Sequence, residues 1–100
     1  MATREHVWNE LSRVIEPELG LPITDLGLIY GVDLDAGGKD AVVRMTLTSP
    51  MCPIAPYLIE LVREAASKVD GLESTHVELV WDPPWDPSMA TEDARAELGL

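Results

Sequence analysis

Leu28-Ile29-Tyr30-Gly31-Val32-Asp33-Leu34, then Asp35-Ala36-Gly37-Gly38-Lys39-Asp40, then Ala41-Val42-Val43-Arg44-Met45-Thr46-Leu47-Thr48, is the stretch on which the fold turns. Leu28, Tyr30, Val32 and Leu34 alternate with Ile29, Gly31 and Asp33, which predicts a strand with one strongly apolar face. The glycine- and aspartate-rich segment reads as a turn, and residues 41–48 as the returning strand of a hairpin. In that second strand Val43, Met45 and Leu47 share one face, which assigns Arg44, Thr46 and Thr48 to the other.

Helical patterns flank this hairpin. Thr3 is placed to cap a first helix carrying Val7, Trp8, Leu11, Val14 and Ile15, which Pro17 is expected to end. Residues 18–27 read as an ordered loop. After the hairpin, Leu58, Leu61, Val62, Ala65, Ala66 and Val69 form the apolar stripe of a second helix, stopped by Gly71. Its start has two readings: Cys52 as cap with Pro53 in the first turn, or one turn later because Pro56 restricts Ala55. Residues 75–81 read as a third strand with Val77, Leu79 and Trp81 on one side. The prolines of Asp82-Pro83-Pro84-Trp85-Asp86-Pro87 break regular structure, and Thr91 caps a short terminal helix through Leu98 with Gly99 beyond. The expected fold is α+β: a two-layer sandwich in which a small mixed three-stranded sheet carries helices mainly on one face, in the order α-β-β-α-β-α. The third strand follows a helical crossover and is expected to run parallel to a strand of the hairpin.

The chain has 100 residues, enough for one domain spanning 1–100 with a single core. Its 46% hydrophobic and 25% charged residues are ordinary for a globular protein. Acidic residues outnumber basic ones 18 to 7, a formal net charge of −11, which repels phosphate backbones and anionic lipid and argues against nucleic-acid and membrane roles. A single cysteine makes no internal disulfide, and the N-terminus carries no apolar signal core, so a cytoplasmic, reducing compartment is the expectation.

That cysteine, Cys52, lies in Thr46-Leu47-Thr48-Ser49-Pro50-Met51-Cys52-Pro53, between a strand and a helix. Near a helix N-terminus a thiolate is favoured over a thiol. Three roles stay open on the residues alone: buried core filler, nucleophile, and ligand for iron or cluster sulfur. A nucleophile wants a base, and neither His6 nor His76 has a spacing that predicts contact with it. One thiolate per chain cannot complete a four-thiolate cluster site, so any cluster would be held transiently, with ligands from a second subunit, a partner protein, a small thiol or nearby oxygen ligands. Glu16 beside Pro17 reads as turn chemistry, and Asp25 and Glu18 gain interest only where the fold brings their loop to Cys52. Trp81 and Trp85, among prolines, read either as closure of the core edge or as an anchor for a partner protein.

Taken together, Glu16-Pro17-Glu18-Leu19-Gly20-Leu21-Pro22-Ile23, Asp25-Leu26-Gly27-Leu28-Ile29, the run from Thr46 to Pro53, and Trp81-Asp82-Pro83-Pro84-Trp85 resemble the SufT/PaaD-like family of small domains grouped with iron–sulfur cluster assembly proteins. The resemblance implies a cytoplasmic maturation factor without catalytic turnover, acting as adaptor or transient carrier of iron or an iron–sulfur cluster. Its partners would be the assembly machinery and apo client proteins, and a homodimer could pair two Cys52 thiolates. Cys52 would be the functional thiol and transient metal ligand, with Asp25, Glu18, Thr46 and Thr48 as the pocket around it. Met51 stands where the family often has glycine. Rival classes are a cysteine-dependent enzyme with Cys52 as nucleophile, and an interaction module that uses Trp81 and Trp85 while Cys52 is structural.

Overall fold

The computed structural model describes residues 2–48 and 53–99. Helix α1, Arg4–Leu11, is capped by Thr3, whose hydroxyl accepts from the His6 N–H. It ends earlier than the apolar spacing predicts. The chain leaves the helix at Ser12, whose hydroxyl donates to the Asn9 carbonyl, and Val14 is drawn away to accept from the Ile23 N–H. Residues 15–22, expected as helix end and loop, contain a small antiparallel hairpin of β1, Ile15–Glu16, and β2, Leu21–Pro22.

The main sheet has three strands, β3 (Ile29–Leu34), β4 (Asp40–Met45) and β5 (Ser74–Leu79), in the spatial order β3-β4-β5. β3 and β4 are antiparallel, and β5 returns parallel to β4 after the crossover through α2, Ala55–Ser67. Helix α3, Glu92–Leu98, follows a 3₁₀ turn at Pro87–Met89 and closes on Gly99 with φ +77°. The expected fold class holds, with the β1–β2 hairpin added. Helices α1 and α2 pack on each other, α1 against β3 and α2 against β5. Val7, Leu11, Val43, Met45, Leu58 and Val62 fill the layer between helices and sheet. Among the described residues no helix is long and apolar enough to cross a membrane.

Two local departures matter for function. The register of β3 on β4 passes from Ile29↔Met45 to Gly31↔Arg44, so Tyr30 is the extra residue of a β-bulge. The bulge resets the alternation: Ile29 and Val32 are buried, while Tyr30 swings out to donate its hydroxyl to the Pro83 carbonyl at 2.8 Å. At the other end, Thr46 is fully buried rather than on a solvated polar face. The segment after β5 folds back there, with Val80 N–H donating to Met45 O and the Trp85 indole N–H donating to Leu26 O at 2.7 Å.

Candidate functional site

The β1–β2 turn is built around Glu16. Its carboxylate, almost wholly buried, accepts from the N–H groups of Glu18 at 3.2 Å and Leu19 at 2.8 Å. Its carbonyl accepts from the N–H of Gly20, which takes φ +72°, a conformation open to glycine at little cost. This arrangement fixes Glu18 and Leu19 at the tip of the turn. A separate set of bonds brings the C-terminal third of the chain to the same place. Thr91 N–H donates to Asp25 O, and the Thr91 hydroxyl accepts from Ala94 N–H, which seats α3. The Asp86 carboxylate, held below the usual carboxylate range by the Ser88 N–H, starts the 3₁₀ turn.

The result is a hollow of about 390 Å³ lined by Glu16, Glu18, Leu19, Thr48, Trp85, Pro87 and Leu98. The lining combines two carboxylate-bearing residues with the apolar side chains of two leucines, a tryptophan and a proline. Thr48, exposed where the chain leaves β4, lies four residues before Cys52 in sequence. Cys52 itself lies outside the described residues, as do Ser49, Pro50 and Met51. Helix α2 begins at Ala55, between the two expected starts, with Ile54 in the cap position expected for Cys52 and Pro56 tolerated in the first turn, where its missing N–H has no intrahelical partner to lose.

Glu18 and Thr48 line one hollow. Thr46 does not reach it; its hydroxyl is enclosed and has no hydrogen-bond partner among the described residues. Asp25 is half-buried in the turn before β3 and contributes its carbonyl to Thr91. Trp85 packs against the core, whereas Trp81 lies beyond the end of β5 and is 44% exposed. His6 and His76 are exposed, and neither lines the hollow. Glu16, Leu19, Pro87 and Leu98 are the lining residues that spacing alone misses. Leu98 left a faint trace, as the large apolar side chain that follows the charged and small Glu92-Asp93-Ala94-Arg95-Ala96-Glu97 run. Among the described residues no cluster of three or more histidine, cysteine, aspartate or glutamate side chains is grouped to hold a metal ion.

Fold and hollow define a small α+β protein with an acid-lipped concavity beyond the end of its central strand. The chain belongs to the iron–sulfur cluster assembly protein family, whose pattern it matches over residues 4–79. It is 38% identical over 99 residues to the Fe-S protein maturation auxiliary factor YitW of Bacillus subtilis, a match covering 99% of this chain and 96% of that protein. It is 41% identical over 87 residues to the Fe-S protein maturation auxiliary factor SufT of Staphylococcus aureus, covering 87% of this chain and 98% of that one. A crystal structure of a domain of unknown function from Bacillus anthracis superposes with a TM-score of 0.89 at 35% identity, covering 97% of this chain and 92% of that chain.

Proposed function

We propose that this protein is a maturation factor that assists the assembly of iron–sulfur clusters or their delivery to apo client proteins, with the cluster as cargo rather than resident cofactor. The observation that carries this reading is the hollow beside Thr48, at the root of the segment that bears the only cysteine. The names carried by the full-length relatives support it. Cys52 supplies the soft ligand, which suits iron bound to sulfide, and Glu18 at the lip of the hollow supplies a hard oxygen. The apolar wall of Leu19, Trp85, Pro87 and Leu98 gives a client or carrier protein a surface to cover. One thiolate leaves most of a cluster's coordination to others, which favours handing the cargo on over keeping it. Thr48 orders the root of the turn.

The test is maturation of an iron–sulfur client enzyme in cells carrying either the wild-type chain or Cys52→Ser. The expected result is lost client activity with an unchanged thermal midpoint of the variant. Full client activity with Cys52→Ser overturns the reading. Anaerobic addition of iron and sulfide then separates carrier from adaptor: a visible chromophore that depends on Cys52 and bleaches with a chelator marks a carrier, and its absence marks an adaptor.

A further inference from the structure

A second concavity, of about 590 Å³, shares no residue with the hollow at Thr48. Its floor is four consecutive residues of an edge strand, Tyr30, Gly31, Val32 and Asp33 of β3, and its far wall is Arg4, Glu5 and Trp8 of α1. We propose that this groove takes up an extended segment of a partner protein as a fourth strand of the sheet, and that the segment alternates apolar and basic residues.

The backbone supports strand addition. Asp35 N–H donates to Asp40 O, and the register from Leu34↔Ala41 to Gly31↔Arg44 is unbroken. Hydrogen-bonded pairs alternate along an antiparallel ladder, so Gly31 and Asp33 bond to β4 while the N–H and C=O of Val32 and Leu34 point away from it. Among the described residues no backbone bond outside the sheet reaches these two. An edge of this kind is a template for an extended peptide.

Side-chain chemistry selects the peptide. A residue paired opposite Val32 projects to the α1 side of the sheet, where Trp8 offers an apolar face that is 40% exposed. The residues on either side project to the opposite face, which carries exposed Asp33 and, beside Arg44 in register, exposed Glu78. Arg44 is already engaged: its guanidinium stacks over Gly31, and Nε lies 3.0 Å from Asp33 Oδ2 in an ion contact without hydrogen-bond alignment. Arg4 offsets Glu5 on the α1 wall and Arg44 offsets Asp33 on the strand, so the preference for lysine or arginine rests on exposed Glu78 and on the net charge of −11, which steers a basic segment in and repels an acidic one. A second copy of the chain is disfavoured as occupant because it carries the same net charge of −11 and is repelled as a whole.

The experiment uses the whole protein and two synthetic hexapeptides of identical composition, one alternating lysine and valine, the other a lysine block followed by a valine block. The alternating peptide should bind at least ~10-fold more tightly, with exchange of the Val32 and Leu34 amide protons slowed on binding, and Trp8→Ala should weaken it by roughly tenfold. Equal binding of both peptides means only attraction to an acidic surface and overturns the proposal. So does binding that leaves those two amides unprotected, or binding indifferent to Trp8→Ala in a variant with an unchanged circular dichroism spectrum. Protection of the same amides without peptide, accompanied by a doubled mass in solution, assigns the edge to a second copy instead. Because Cys52 takes no part, Cys52→Ser should bind the alternating peptide as the wild type does, which keeps this result separate from the maturation test.

Discussion

Three side chains carry consequences that follow from their own bonds. Glu16→Ala leaves the N–H groups of Glu18 and Leu19 without their acceptor in a largely buried turn, which costs ~2 kcal/mol. Urea unfolding should show a lower midpoint at unchanged slope. Thr46 behaves in the opposite sense. Its enclosed hydroxyl has no partner among the described residues, so Thr46→Val removes an unsatisfied group at nearly equal volume and should be neutral or stabilising by up to about 1 kcal/mol. Normal client maturation by that variant would remove Thr46 from the pocket around Cys52, whereas a loss of maturation without loss of stability would restore it. Asp35 sets a pH dependence. The N–H groups of Asp40 and Lys39 hold its carboxyl below the ordinary value of 3.8. A lowered folded-state pKa contributes stability that is present above the unfolded value and is lost as pH falls through the folded one. Asp35→Asn should therefore flatten the acid limb of the stability profile below about pH 5 and leave its shape near neutrality unchanged; an acid limb identical to wild type would refute this.

Elements were readable where their causes are local. The caps Thr3 and Thr91, the stop at Gly99 and the alternation in β4 all act within a few residues, and each took the form expected. The bulge at Tyr30 was not readable, because Leu28, Tyr30, Val32 and Leu34 satisfy an unbroken strand just as well. What breaks the phase is distant in sequence: the Pro83 carbonyl that holds the Tyr30 hydroxyl, and the Arg44 guanidinium that occupies the space a side chain at position 31 would need. Helix α1 fails to continue for a similar reason, since Val14 bonds to Ile23 instead of extending the helix. Gly27 ties these elements together. It takes φ +77°, and a Cβ there would run into the Met89 carbonyl oxygen of the 3₁₀ turn. Gly27→Ala should cost ~2 kcal/mol or more and detach the C-terminal segment, seen as a blue-to-red shift of Trp85 emission before global unfolding. A variant whose tryptophan emission and midpoint match wild type would show that the turn gives way freely.

At the scale of the molecule, the candidate site shows why spacing alone does not assemble it. Glu18 and Thr48 line one hollow with Trp85, Pro87 and Leu98 because the C-terminal segment folds back over the end of the sheet, where the Asp25 carbonyl accepts from Thr91 N–H and seats α3. No periodicity in residues 16–48 encodes the position of Trp85 or Leu98. Charge, by contrast, is fully written in the composition, and it acts on the whole body. The molecule measures 42 × 25 × 22 Å. At 0.01 M salt the Debye length is about 30 Å, longer than the two short axes, so the surplus acidic groups repel one another across the fold; at 0.15 M it is about 8 Å and only near neighbours interact. Unfolding spreads those charges apart, so self-repulsion disfavours the compact state most at low salt. The thermal midpoint should thus rise on going from 0.01 M to 0.15 M sodium chloride, by roughly 4–8 °C for each kcal/mol of relieved repulsion in a domain of this size. A midpoint that stays level or falls would mean that local pairs such as Arg44–Asp33 and Arg63–Glu60, which salt weakens, outweigh the net charge in setting stability.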